Sequence, residues 1–155
     1  MIEEILRFAH VLGATVLLGT GAGIAFFMVL SHRSRDPALI AHVAGIVVIA
    51  DTIFTATAAV LQPITGTLLA WHLGWSLLEP WLLISLILYV VVGAFWLPVV
   101  WIQLQMRNIA RTARDTRSPL PDRYLKLYHI WFACGFPAFF AVMGIVWLML
   151  MKPAF

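Results

Sequence analysis

The groups able to do chemistry in this apolar chain are five histidines and one aspartate that falls inside an apolar run. His10 stands near the head of the stretch FAHVLGATVLLGTGAG, and Asp51 is the only acid well inside such a run. Imidazole and carboxylate groups transfer protons and bind metals, and both are costly to place in hydrocarbon. We therefore expect His10 to ligate a metal, most plainly a haem iron. Asp51 is expected to be protonated or paired: it relays protons, partners a basic ligand, or forms a structural hydrogen bond with a Thr, Tyr or Arg.

Four long apolar segments must position these groups. The chain is 63% hydrophobic and only 11% charged, whereas soluble domains carry about 25% charged residues. A membrane-spanning helix needs about 20 mostly apolar residues, and the segments at about 6–30, 42–70, 81–103 and 125–151 meet that requirement. An even number of helices joined by short loops predicts one all-α domain over residues 1–155, an integral membrane antiparallel four-helix bundle.

The positions of the basic residues predict how the bundle is oriented. Of the ten Lys and Arg residues, eight lie in or beside the first and third connections, and only Arg7 and Lys152 lie on the other side. By the positive-inside rule, both termini then face outward from a bacterial inner membrane. Because the basic residues are confined to connections, the net charge of +3 indicates a lipid bilayer as partner and no nucleic acid.

In this topology four of the histidines form two pairs at matched depth. His10 pairs with His72 in the outer part of the bundle, and His42 pairs with His129 in the inner part. Because imidazoles from facing helices hold haem b in membrane bundles, all four are candidate haem ligands. For His72, His42 and His129 the alternative is a plain interfacial role at a helix end. His32 is expected in a loop.

Prolines inside the second, third and fourth spans predict local kinks. Pro63 lacks an N–H group, so a carbonyl one turn earlier, near Ala59, loses its helical partner. Gln62 is expected to satisfy such a freed carbonyl. Small residues in the first span leave room either for close helix packing or for a macrocycle.

Several stretches carry a family resemblance that covers the whole chain. FAHVLGATVLLGTG, LQPITGTLLA and LPDRYLKLYHIWFACGFPAF resemble an uncharacterised bacterial family of predicted four-helix integral membrane proteins. More distantly, the chain is similar to HemJ-type protoporphyrinogen oxidases and CopD-like membrane proteins. Phe8, Ala9 and His10 match the aromatic, apolar and His opening of the first HemJ helix, whose histidine is implicated in haem b binding. That resemblance implies haem b as cofactor and His10 as its ligand.

The resemblance also has a departure in the third helix. Trp81 matches the Trp that opens this helix in HemJ, but the His and Lys that follow there are replaced by Leu83 and Ser85. The basic group suited to a porphyrin carboxylate or to proton transfer is thus missing. This departure argues against protoporphyrinogen oxidation and leaves haem binding open.

These observations predict a haem-b-binding inner-membrane protein with an oxidase-like or electron-transfer role. Quinone or a tetrapyrrole is the expected redox partner, and Asp51 is the candidate catalytic residue that supplies protons. The alternative is a non-enzymatic membrane anchor or a small transporter subunit, in which His10 and Asp51 only bond helices together. Whether the chain is an enzyme and whether it forms a homo-oligomer stay open.

Overall fold

The computed structural model describes residues 1–153, which form four long helices. They are α1 (Ile2–Ser34), α2 (Pro37–His72), α3 (Pro80–Asp115) and α4 (Asp122–Met151). Each is long and apolar enough to cross a membrane. The prediction of an all-α four-helix fold is confirmed.

All four helices run beyond the apolar segments that predict them. The largest extension is in α3, where the residues NIARTARD continue the helix to Asp115, well after the apolar stretch ends. The first connection shrinks to two residues: Arg35 ends α1 in a left-handed conformation, with φ 57°. Asp36 then caps α2, where its side chain accepts a hydrogen bond from the backbone N–H of Ala38 at 2.9 Å and Pro37 supplies a favoured first helical residue.

The second helix is not uniform. Its first part, Pro37–Ala50, and its last part, Ala56–His72, are α-helical, and a π-helical turn at Asp51–Thr55 joins them. The first part packs against both α1 and α3, whereas the last part packs mainly against α1. The helix therefore leaves α3 after the π turn, and α3 stays in extensive contact with α4.

The two ends of the bundle are packed differently. The basic end carries the connections at 35–36 and 116–121, and the terminal end carries Met1, the 73–79 connection and Lys152. The larger core cluster lies toward the basic end and includes the fully buried Met28, Ile40, Met106 and Tyr124. A smaller cluster of Ala70, Trp81, Leu82 and Leu148 lies at the terminal end. Since α2 diverges from α3 between these clusters, the centre of the bundle is open.

The outer surface of the helices is strongly apolar. Val90 on α3 is 71% exposed and Phe140 on α4 is 65% exposed, and large apolar side chains are exposed on all four helices. An apolar surface of this extent is typical of contact with lipid rather than with water.

Candidate functional site

The open centre of the bundle is a cavity of about 1160 Å³. It slightly exceeds the 300–1,000 Å³ usual for small-molecule sites. All four helices line it, mostly with apolar side chains. The polar or charged lining residues include Arg7, His10, Asp51, Thr55, Gln62, Tyr89, Trp96, Gln103, Trp131 and Lys152.

His10 lies on the wall of this cavity, against α2. Its Nδ1 is 3.0 Å from the hydroxyl Oγ1 of Thr65. A Cβ atom placed on Gly66 would lie only 2.9 Å from Cε1 of His10. The imidazole therefore sits directly against the backbone of Gly66, at a distance that only a residue without a side chain allows.

The hydrogen bonds of Thr65 indicate which nitrogen of His10 carries the proton. Thr65 Oγ1 is 2.8 Å from the carbonyl oxygen of Leu61, so its single proton is donated to that carbonyl. Its oxygen then accepts from Nδ1–H of His10. In this tautomer Nε2 holds a lone pair, which is the arrangement of a histidine prepared to bind a metal through Nε2.

Asp51 is the second polar residue of the cavity wall and begins the π turn. It is 4% exposed, and its Oδ1 accepts a hydrogen bond from the indole N–H of Trp96 at 3.2 Å. With the Gln103 amide oriented so that donors meet acceptors, its nitrogen donates to Asp51 Oδ2 at 3.2 Å and its oxygen accepts from Trp131 Nε1 at 3.2 Å. The carboxyl is thus tied to α3 and, through Gln103, to α4.

The surroundings of Asp51 include the Thr expected of a structural bond, because the Thr55 hydroxyl interacts with the carboxyl. The other two partners are an indole and an amide on α3 that were not expected, and neither is a cation. The sequence offers one signal for them: Trp96 and Gln103 are seven residues apart, so they lie on the same face of a helix. π turns are enriched at functional sites, and here the turn begins at the buried acid itself.

The face of α2 that lines the cavity carries buried polar groups. Asp51, Thr55, Ala59, Gln62 and Gly66 all line the cavity, at the spacing of one helix face. Gln62 Oε1 is buried without a hydrogen-bond partner, and Thr55 Oγ1 is buried with only a loose contact to the Asp51 carboxyl. Because buried polar atoms in folded proteins are nearly always bonded to protein, water or ligand, these two atoms mark places for water or a polar ligand group.

The prediction that Gln62 satisfies the carbonyl freed by Pro63 is wrong. The carbonyl oxygen of Ala59, four residues before Pro63, accepts a hydrogen bond from the hydroxyl of Tyr89 on α3. Tyr89 reaches this carbonyl from across the bundle and takes the place expected for the amide N–H group of Gln62. The side-chain oxygen of Gln62 lies unpaired beside Gly13.

The structure does not bring the remaining histidines to the cavity. His72 is exposed and follows Gly66 by six residues, about 9 Å farther along α2 than the His10 ring. His42 and His129 are also exposed, on α2 and α4 segments that do not pack extensively against each other. Within residues 1–153, no three His, Cys, Asp or Glu side chains form a metal-binding group.

His32 is not in a loop. It lies in the last turn of α1, and its ring stacks on that of Tyr128, with centroids 3.5 Å apart and planes 11° apart. The helix continues past the apolar run, and the tyrosine rings of α4 cover the imidazole.

The comparison with known families agrees with this architecture. The model of the family described as predicted integral membrane protein (DUF2269) matches residues 4–153. No curated protein and no solved structure matches the chain. The expected membership of a predicted integral membrane family is thereby confirmed, and the similarity to HemJ-type and CopD-like proteins stays a prediction. The chain belongs to the DUF2269 family of predicted integral membrane proteins.

Proposed function

We propose that this protein binds haem b in the central cavity and has a redox role in a bacterial inner membrane. The observation that supports it best is the state of His10. Its Nδ1–H donates to Thr65, which leaves the Nε2 lone pair available beside an apolar cavity of about 1160 Å³. A neutral imidazole held in this way is suited to be an axial ligand of haem iron.

The donor set of the cavity favours a single histidine ligand. Among the described lining residues His10 is the only histidine, and His72 is exposed and does not line the cavity. Haem b held by His10 alone would supply redox chemistry to a substrate in the cavity, rather than only electron transfer. We therefore favour an oxidase-like role over electron transfer between two-histidine centres, with quinone or a tetrapyrrole as the electron donor.

Asp51 is proposed to supply protons to this site. Its oxygens accept from Trp96 and Gln103, which hold the carboxyl at the cavity wall without neutralising it by a cation. The buried polar atoms of Thr55, next to Asp51, and of Gln62 continue along the same face of α2, about 10 Å apart, toward His10. Water bonded to these atoms would complete a path for protons between the acid and the haem site.

The proposal places the basic end in the cytoplasm and both termini outside. Ser76 and Ser118 are both exposed connection residues at opposite ends of the bundle, so they form a matched pair. In a Cys134→Ser background, Ser76→Cys should react with a membrane-impermeant maleimide in intact cells, and Ser118→Cys should react only after permeabilisation. The opposite pattern would reverse the orientation and the direction of proton supply.

The decisive test of haem binding is the visible spectrum of the purified protein in detergent, after reconstitution with haem b. We expect a Soret band, with α and β bands on reduction. His10→Ala should abolish it, and the matched exposed-histidine variants His72→Ala and His129→Ala should keep it. His10→Gly should regain the band when imidazole is added, because free imidazole replaces the missing ligand.

The alternative is a non-enzymatic anchor or small transporter subunit. Its support is that the bond between His10 and Thr65 already satisfies one ring nitrogen without any metal. A wild-type protein that stays colourless after reconstitution would favour this alternative, and a band that survives His10→Ala would reject the ligand assignment.

A further inference from the structure

Both basic residues of the terminal end line the central cavity. Arg7 lies one helix turn before His10, three residues and about 4.5 Å earlier along α1. Lys152 follows the end of α4, where a left-handed backbone conformation with φ 40° turns the chain out of the helix. Although they come from opposite ends of the sequence, both lie in the wall of the same cavity.

Aromatic side chains hold the ammonium group of Lys152 near the terminal end of the cavity. Its Nζ lies 5.0 Å from the ring centroid of Trp75 and 5.7 Å from that of Trp81, and both tryptophans also line the cavity. These cation–π contacts hold the charge in place without neutralising it. Lys152 therefore keeps its N–H donors for a ligand.

Arg7 also keeps donors for a ligand. It forms an exposed ion pair with Glu3, which is one turn earlier on the same helix. A guanidinium has five N–H donors, so one carboxylate contact leaves others free. Exposed pairs of this kind are weak and exchange readily.

Charge is therefore distributed unevenly along the cavity. The only acid in its described lining is Asp51, at the π turn, and the two cations are at the terminal end. Between them the wall is mostly apolar. This arrangement is complementary to a molecule with an apolar body and an anionic end that faces the terminal end of the bundle.

We propose that Arg7 and Lys152 bind the carboxylate end of a hydrophobic ligand, and that this end is oriented toward the termini. The inference deepens the proposed function and rests on it for one of the two ligands, haem b. If haem b binds, its two propionates would be the carboxylates held by Arg7 and Lys152, and His10 would bind the iron. The other source of the same chemistry is a fatty acid from the bilayer.

The test compares acids with their esters. Apoprotein in detergent is titrated with haem b and with haem b dimethyl ester, followed at the Soret band. We expect wild type to prefer the free acid by about threefold to tenfold, the range that two partly exposed ion pairs allow. The preference should shrink at high salt.

The variant that removes both cations is Arg7→Gln with Lys152→Gln. It should lose the preference for the acid and keep its affinity for the ester. Arg33→Gln with Lys126→Gln, which removes two cations at the basic end, should retain the wild-type preference. Circular dichroism and gel filtration verify that both proteins fold.

A parallel titration with oleate and methyl oleate, followed by tryptophan fluorescence, distinguishes the two sources. Selective binding of oleate without a Soret band in the haem titration would support the anionic end and refute the haem function. Equal affinities of wild type for acid and ester in the Soret titrations would refute the role of Arg7 and Lys152 and leave haem binding intact. If the protein bound neither ligand, both proposals would be overturned.

Discussion

Gly66→Ala tests the close approach of His10 to α2. The added Cβ would lie 2.9 Å from His10 Cε1, and ordinary van der Waals contact begins at 3.4 Å. The ring must therefore move by about 0.5 Å, which lengthens its 3.0 Å bond to Thr65 if it moves away from α2. Loss of that bond costs about 1 kcal/mol, and overpacking of a fitted site costs about 1–3 kcal/mol.

Thermal unfolding in detergent measures this cost. The single Cys134 is partly buried, so its reaction with a thiol-reactive fluorophore reports unfolding. Gly19→Ala is the matched control, because a Cβ there meets nothing within 4 Å. We expect Gly66→Ala to be less stable than the control by about 1–3 kcal/mol and to bind less haem after reconstitution.

A double-mutant cycle decides whether the cost comes from the ring. In a His10→Ala background the imidazole is gone, so Gly66→Ala should be nearly neutral. An equal loss of stability with and without the imidazole would show that the ring does not lie against Gly66. The close approach of the imidazole to the backbone of α2 would then be refuted.

Two further substitutions test the hydrogen bonds that cross the bundle. Asp51→Leu should destabilise the protein by about 1–3 kcal/mol in the thermal assay, because the N–H groups of Trp96 and Gln103 lose their buried acceptor. Asp51→Asn keeps one acceptor oxygen and should cost less stability in the same assay. It should also keep the Soret band and slow turnover. Tyr89→Phe should cost about 1 kcal/mol by leaving the carbonyl of Ala59 unpaired, and a melting curve identical to wild type would show that water replaces the hydroxyl.

The four helices could be predicted from the sequence because hydropathy alone indicates them. Long apolar runs separated by short basic connections leave few other folds. His10 and Asp51 were chosen as candidate site residues because ionisable groups are costly to place in hydrocarbon, and the structure places both at one cavity.

The partners of these two groups could not be predicted, because they depend on which helices touch and at what rotation. Gly66 has no side chain to suggest a site, yet it is what lets the His10 ring approach α2. Matching histidines by depth placed His72 opposite His10, but depth does not give the angle around a helix axis. Trp96 and Gln103 could not be identified as partners of Asp51 for the same reason. Their spacing shows that they share one helix face but not which neighbouring helix that face contacts.

The π turn at Asp51–Thr55 makes one place in α2 tolerant of a change in chain length. A π turn takes up one more residue than an α turn at nearly the same rotation, so a residue removed there would let the helix close to 3.6 residues per turn with Gly66 still facing His10. A residue removed from 56–65, with the π turn kept, would instead rotate everything after it by about 100° and turn Gly66 away from His10, although hydropathy and composition would hardly change. Many substitutions on the lipid-facing surface should be tolerated, but a single-codon deletion within 56–65 should separate the two halves of the cavity wall. A related chain with the same site must therefore keep the fifteen-residue separation of Asp51 and Gly66 together with the π turn, or lose one residue and the π turn together.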